Sequence, residues 1–128
     1  LSQLSPSAFA EGNRLFTEFK GALTENFVLQ TLITQFEVVP RYWTQTNPPY
    51  EVDFLIQREN DIFPIEVKAE TNTTSKSIKK FKELFPDKVK LRVRFSLDNL
   101  KLDGDMLNIP LFMADQVNRL IGIALNHV

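Results

Sequence analysis

The stretch EVDFLIQRENDIFPIEVKAE, from Glu51 to Glu70, decides the fold. Its two arms, residues 51–57 and 62–69, are rich in Val, Ile, Leu and Phe, and the polar residues 58–61 separate them. Apolar runs of this length on either side of a short polar stretch are typical of two antiparallel strands joined by a tight turn. The sequence therefore predicts a β-hairpin whose loop consists of residues 59–60.

This hairpin brings three charged side chains onto one face. With a two-residue loop, Asp53 on the first strand faces Glu66 on the second, and Glu51 faces Lys68. Side chains that face each other share a face of the sheet. A shift of the loop by one residue changes the partners but leaves Asp53, Glu66 and Lys68 together, whereas a three-residue loop without a bulge would separate them.

Opposed carboxylates need a partner. Two carboxylates about 5 Å apart repel by roughly 3 kcal/mol at an effective dielectric constant near 20, which corresponds to about two pKa units. A shared proton, the Lys68 ammonium or a hard divalent cation such as Mg²⁺ would offset this repulsion. The alternative is that all three residues lie on the solvated outer face of an amphipathic hairpin, and the spacing alone fits both readings.

Length and composition limit the class of protein. The 128 residues, of which 43% are apolar, suffice for one well-packed core and predict a single domain over residues 1–128. No apolar run has membrane-spanning length, and the first residues lack a basic segment followed by an apolar one, so we expect neither a transmembrane helix nor a signal peptide. The absence of Cys excludes disulfides and thiolate metal sites and fits a cytoplasmic protein, while a lone His127 near the end argues against a His-based zinc site. A first residue Leu1 instead of Met indicates a piece of a longer protein.

Lysine and arginine residues form two clusters, although the net charge of −1 argues against a protein wrapped in nucleic acid. The first cluster alternates with apolar residues on a predicted strand and consists of Lys88, Lys90, Arg92 and Arg94. The second lies on the preceding helix and consists of Lys76, Lys79, Lys80 and Lys82. These residues are candidates for contacts with a phosphate backbone. The alternative for the strand is an edge position that its charges protect from aggregation.

The remaining segments complete an α/β layout. Residues 22–36 predict a buried helix on which Glu25 shares a stripe with Leu29, Leu32 and Phe36. The alternative is that Glu25 only complements the helix dipole in the first turn. We further expect short helices before Lys20, a strand over 38–44, a helix over 78–85, a strand over 107–112 and a closing helix from about residue 113. The order of helix, three strands, helix, two strands and helix indicates a mixed sheet.

A helix with Glu25, a strand with Asp53 and a following strand with Glu66-Val67-Lys68 resemble the PD-(D/E)XK phosphodiesterase superfamily, which has the restriction-endonuclease-like fold. More narrowly, five segments are similar to the domain of unknown function that follows the ATPase domain in prokaryotic AAA-type ATPases: GALTENFVLQTL, EVDFLI, FPIEVKAE, KSIKKF and NIPLFM. The resemblance covers roughly residues 19–112. It implies a three-layer fold with a mixed central sheet and an αβββαβ core flanked by helices.

The resemblance also implies a role for each residue. Asp53 and Glu66, together with the backbone carbonyl of Val67, would ligate Mg²⁺ or Mn²⁺. Lys68 would orient or help deprotonate the attacking water, and Glu25 would be an accessory ligand or a supporting base. Two candidates of lower rank on the same strand faces are Glu51 and Glu70.

The expected function is therefore a Mg²⁺-dependent nuclease domain that acts on DNA or RNA, follows an ATPase domain in the same chain and resides in the cytoplasm. Two alternatives stay open. The first is an inactive module of that ATPase that binds nucleic acid or protein, since members of this fold also serve as binding modules. The second is a structural or oligomerising domain, for which the eleven Phe residues could supply an apolar interface.

Overall fold

The computed structural model describes residues 20–46, 49–68 and 75–128. Its elements, in chain order, are helix α1 (residues 20–32), strands β1 (Val38–Thr46), β2 (Pro49–Arg58) and β3 (Asp61–Val67), helix α2 (Lys76–Leu84), strands β4 (Arg92–Ser96), β5 (Lys101–Asp103) and β6 (Met106–Pro110), a 3₁₀ helix (Leu111–Gln116) and helix α3 (Val117–Leu125). The architecture is α/β, as predicted. No helix within these three ranges has the length and apolar character needed to cross a membrane.

The β2–β3 hairpin forms in the predicted register. The strands pair antiparallel from Arg58–Asp61 to Phe54–Ile65, and a two-residue turn joins them. Glu59 in this turn has a φ of 58°, the left-handed conformation that tight hairpin turns require. The predicted loop is therefore confirmed. In this register, Asp53 and Glu66 are the next two positions beyond the last pair, Phe54–Ile65.

The strands form one six-stranded mixed sheet in the order β1-β2-β3-β4-β6-β5. The first three strands pair antiparallel, β3, β4 and β6 run parallel, and β5 returns antiparallel to β6. Strand β4 thus lies inside the sheet, and the alternative of a charge-protected edge strand is wrong. The crossover through α2 carries the chain back along the sheet, which allows β4 to pair parallel with β3.

Helices cover both faces of the sheet. On one face, α1 and α3 pack against the strands in a buried cluster that includes Val28, Leu32, Phe54, Ile65, Val93, Phe95, Ile109 and Ile121. On the other face, α2 packs in a smaller cluster that includes Val52, Leu55, Ile78, Phe81 and Met106. Alternation along β3, β4 and β6 places Glu66, Arg94 and Asn108 on this second face. The α2 face of the sheet is therefore partly polar.

The structure differs from the predicted layout in several places. The basic strand begins at Arg92 and not at Lys88, because residues 86–88 form a turn. A turn at Gly104 adds the short strand β5, which the sequence pattern did not indicate. The closing helix starts as a 3₁₀ helix at Leu111 and becomes α-helical at Val117.

Helix α1 is less buried than predicted. Val28 and Leu32 are fully buried, but Leu23, Phe27 and Ile33 are about half exposed. The helix therefore has one buried stripe and an apolar exposed face. The short helices expected before Lys20, as well as Glu70, lie outside the described residues.

Candidate active site

Asp53 lies where the β2–β3 ladder ends. Beyond the last pair, Phe54–Ile65, the backbone N–H of Val67 donates a hydrogen bond to the side-chain Oδ2 of Asp53 at 2.9 Å. Val52 belongs to the α2 cluster and Phe54 to the α1–α3 cluster, so the alternation of side chains is interrupted at Asp53. Strand β1 shifts its register against β2 at the same point. Such irregularities redirect side chains and are frequent beside active sites.

Glu66 is a buried carboxylate with one unsatisfied oxygen. The residue is 8% exposed, and its Oε1 lies 3.4 Å from Nζ of Lys68. Its Oε2 is buried and has no hydrogen-bond partner in the described part of the chain. Leaving a buried carboxylate oxygen without a partner is unfavourable. This oxygen therefore marks a position at which a cation or a hydrogen-bond donor would stabilise the protein.

The environment of Asp53 raises the pKa of its carboxyl group. Burial raises the pKa of Asp53 from 3.8 to about 6. The hydrogen bond from Val67 lowers this pKa, and the neighbouring carboxylates of Glu25, Glu66 and Glu51 raise it. Glu25 on α1 thus acts on Asp53 from outside the hairpin. A carboxyl group whose pKa is shifted by burial and by specific charges is typical of functional sites.

The two central carboxylates are suitable, but not sufficient by themselves, for a metal centre. Among the residues that the structure describes, no three Asp, Glu or His side chains come close enough together to hold a metal ion. Mg²⁺ is commonly held by one or two carboxylates together with water and substrate phosphates. The unpartnered oxygen of Glu66 and the raised pKa of Asp53 are both features that a divalent cation would relieve. The pair therefore fits Mg²⁺ or Mn²⁺, while ligation by Val67 and Glu25 stays a prediction.

The carboxylates lie at the carboxyl ends of the parallel strands. Lys68 directly follows β3, and its backbone N–H donates to the carbonyl of Phe95 near the end of β4 at 2.8 Å. In open α/β sheets, ligands bind outside the carboxyl ends of the strands. The position of Glu66 and Lys68 in the sheet is therefore one at which a ligand is expected.

Several of the predicted basic residues form ion pairs with acidic residues. Lys90 forms an ion pair with Asp61 at 3.3 Å. Arg92 donates two hydrogen bonds to the carboxylate of Asp105, at 2.7 and 3.2 Å, and Lys82 binds the same carboxylate. The prediction of one strand with four positive charges on its exposed face is therefore wrong, because the strand begins only at Arg92. Lys90 and Arg92 also have acidic partners.

Asp105 is held in its charged form by these two cations. Burial alone would raise the pKa of Asp105, but hydrogen bonds from Arg92 and Lys82, and their positive charges, lower it from 3.8 to about 2. The carboxylate follows the turn at Gly104 and reaches Arg92 at the start of β4. Asp105 thus ties the β5–β6 turn to both β4 and α2.

A groove of about 940 Å³ lies on the α2 face of the sheet, between α2 and the β5–β6 hairpin. Four of the predicted basic residues line it, namely Lys76, Lys79, Arg92 and Arg94. Lys80, Lys88 and Lys90 are not part of its lining. Asp53 and Glu66 do not line this groove, but Arg94, which pairs in register with Glu66, does.

Sequence analysis missed Asn108, which organises the floor of this groove. Its side-chain oxygen accepts hydrogen bonds from Nε of Arg94 at 3.0 Å and from Oγ of Ser96 at 2.6 Å. Its amide nitrogen donates to the carbonyls of Asp98 and Asn99. A single polar residue within the otherwise apolar strand Met106–Pro110 was the available signal, since buried polar groups in strands need partners.

Comparison with known proteins identifies a family. The model of a family described as a domain of unknown function (DUF4143) matches residues 20–112. This range extends from α1 to the 3₁₀ helix and includes both the carboxylates and the groove. No curated protein and no solved structure matches the chain.

Proposed function

We propose that this chain, which belongs to the DUF4143 family, is a Mg²⁺-dependent phosphodiesterase domain that hydrolyses DNA or RNA at Asp53, Glu66 and Lys68. The observation that carries the proposal is the buried Oε2 of Glu66. It has no hydrogen-bond partner in the described part of the chain and lies close to a second carboxyl group with a raised pKa, that of Asp53. A divalent cation bound by both carboxylates would satisfy this oxygen and offset the repulsion between them.

The proposal gives each of these residues a role. Asp53 and Glu66 would hold the cation, and Glu25 would support them from α1. The ammonium of Lys68, next to Glu66, would orient the attacking water and stabilise negative charge on the phosphate. A bound divalent cation would lower the pKa of a coordinated water and neutralise negative charge on the phosphoryl group.

A cleavage assay tests the proposal. Single-stranded and double-stranded DNA and RNA would be incubated with the protein and Mg²⁺, Mn²⁺ or EDTA. We expect metal-dependent cleavage that falls by roughly 100-fold in Glu66→Gln and Lys68→Ala, because removal of a group that stabilises charge in the transition state commonly has an effect of this size. Glu83→Gln and Lys88→Ala, which change exposed residues of the same types, should retain activity. Cleavage that survives Glu66→Gln would contradict the proposal.

The second candidate is a module that binds nucleic acid or protein without catalysis. It is favoured by the absence of a third metal-ligating side chain beside Asp53 and Glu66 in the described ranges. A basic groove on the same face of the sheet would serve such a module equally well. Nucleic-acid binding that is unchanged in Asp53→Asn and Glu66→Gln, without cleavage of any substrate, would favour this candidate.

The proposal includes a setting for the domain. The resemblance to domains that follow AAA-type ATPases supports a preceding ATPase domain in the same chain, and the absence of Cys fits a cytoplasmic location. The upstream reading frame provides the test. A frame without a phosphate-binding loop ahead of Leu1 would contradict the link to an ATPase.

A further inference from the structure

The groove on the α2 face has a floor that hydrogen bonds hold in place. Arg94 donates from Nε to Asn108 at 3.0 Å and from Nη1 to Oγ of Ser75 at 3.1 Å. Asn108 is itself held by Ser96 and by two carbonyls of the loop after β4. The guanidinium therefore spans from β6 to the start of α2 in a defined orientation. A cation that is ordered before a ligand arrives loses little side-chain entropy on binding.

The rim of the groove is basic. Lys76 and Lys79 on α2 and Lys101 on β5 are exposed, and none of them forms an ion pair with another described residue. Two acidic residues, Asp98 and Asp103, also line the groove, while the charge of Asp105 is already offset by Arg92 and Lys82. The lining thus has an excess of positive charge, although the whole chain is slightly acidic.

The floor of the groove is continuous with the carboxylate site. Glu66 on β3 is paired in register with Arg94 on β4, and Arg94 is paired with Asn108 on β6. Asn108 in turn faces Lys101 on the edge strand β5. Neighbouring strands lie about 4.8 Å apart. The four side chains therefore form a polar row across the sheet that leads from the groove to Glu66.

From this row and the basic rim, we infer that the groove binds the phosphodiester backbone of a nucleic-acid strand, with Lys76, Lys79 and Lys101 at its rim and Arg94 at its floor. The inference rests on the proposed function in that it assigns the surface that holds the substrate of the Glu66 site. It narrows the sequence-based set of basic residues, because Lys80, Lys88 and Lys90 are not among the residues that line the groove, and it adds Lys101, which is.

The lining also determines how such a strand would be recognised. None of the described residues that line the groove is aromatic, so base stacking cannot supply much of the affinity. Contacts between cations and phosphates are insensitive to sequence and weaken steeply with salt, because binding releases condensed counterions. The groove is therefore expected to bind with little base preference and a strong dependence on ionic strength.

Binding is measured by fluorescence anisotropy in EDTA, so that cleavage does not contribute. Labelled oligonucleotides of roughly 20 nucleotides, single-stranded or as a duplex, would be titrated with the protein at several salt concentrations. In Lys76→Ala/Lys79→Ala we expect an affinity about tenfold lower than in the wild type and a salt slope reduced by about 2, since each lost phosphate contact lowers the slope by about 0.9. The matched control is Lys80→Ala/Lys88→Ala, which removes the same charge outside the groove.

Each outcome decides for or against the inference. A loss of affinity confined to the groove variant supports it. The oligonucleotide form that binds with higher affinity shows whether the groove prefers a single strand or a duplex. An equal loss in both double variants, or no binding at low salt, overturns it. If the protein binds nucleic acid in EDTA through Lys76 and Lys79 but cleaves no substrate with metal, the inference about the groove stands and the proposed nuclease activity is contradicted.

Discussion

The backbone N–H of Val67 donates a hydrogen bond to the side chain of Asp53, 2.9 Å away, directly beyond the last backbone pair of the hairpin. This bond holds the Asp53 carboxyl at the end of β3, next to Glu66. It also holds an acidic group in a partly buried position, near the carboxylates of Glu25, Glu66 and Glu51. The stability of the domain should therefore respond to changes at Asp53 in a pH-dependent way.

Asp53→Asn is expected to stabilise the metal-free protein at pH 8. The pKa of Asp53 is about 6 in the folded state and near 3.8 when unfolded, so the folded state binds this proton more tightly. Stability is lost as pH rises from about 4 to above 6, by roughly 2 to 3 kcal/mol. Asparagine keeps an oxygen acceptor for Val67 but carries no charge. Urea denaturation in EDTA should show a gain at pH 8 and little change at pH 4, and an equal gain at both pH values would contradict the assignment.

Mg²⁺ or Mn²⁺ is expected to raise the melting temperature of the wild type. A ligand at a hundred times its dissociation constant stabilises the folded state by about 2.7 kcal/mol. The shift should disappear in Asp53→Ala and Glu66→Gln, but most of it should remain in Lys68→Ala, because an ammonium does not ligate the ion. Thermal unfolding with and without metal measures this. A shift that Asp53→Ala retains would place the bound cation elsewhere.

Asp105→Asn is expected to destabilise the protein at neutral pH by about 1 to 3 kcal/mol, because the partly buried Arg92 and Lys82 lose their shared counter-charge. The lowered pKa of Asp105, about 2, means that its contribution is present above pH 4 and declines as pH falls toward 2. The difference between variant and wild type in urea should therefore be smaller at pH 3 than at pH 6. Asp87→Asn, at an exposed turn, is the control, and a difference independent of pH would count against the ion pairs.

Asn108→Ala is expected to cost about 2 to 3 kcal/mol, because it leaves buried donors and acceptors around Arg94 without partners. Nucleic-acid binding should weaken as well, since Arg94 loses its support. Asn99→Ala is a suitable control, as Asn99 is exposed and contributes its backbone carbonyl to the same network. Denaturation and anisotropy measured on both variants would separate the two roles. Equal stability of both variants would show that the network contributes little.

The hairpin could be predicted because its information is local. The alternation of apolar residues and the polar turn at Glu59 define which residues of β2 and β3 pair, and the structure has this register. The interruption at Asp53 could not be predicted in the same way, since it depends on the register of β1 and on the helices that pack on either face. The pattern of one strand contains no information about either.

The basic residues show the limit of reading charge from a sequence. Alternation predicted that Arg92 and Arg94 would share an exposed face, but their environments are set by residues distant in the chain. Asp105 and Asn108 reach them only because β6 pairs parallel with β4. The pattern of a single strand does not show whether that strand is central or at an edge. The central position of β4 brings Asp105 to Arg92, so that Arg92 is already paired with a carboxylate in the groove.

The turn at Glu59 has a consequence for the order of folding. Hairpin β2–β3 closes through contacts that are near in sequence, whereas β4 must cross over through α2 before it can pair with β3. Local pairings form faster than distant ones. Asp53 and Glu66 would therefore meet early, before β4 is in place. If so, removal of the charge in Asp53→Asn should accelerate refolding more than it slows unfolding, which stopped-flow measurements at pH 8 can resolve.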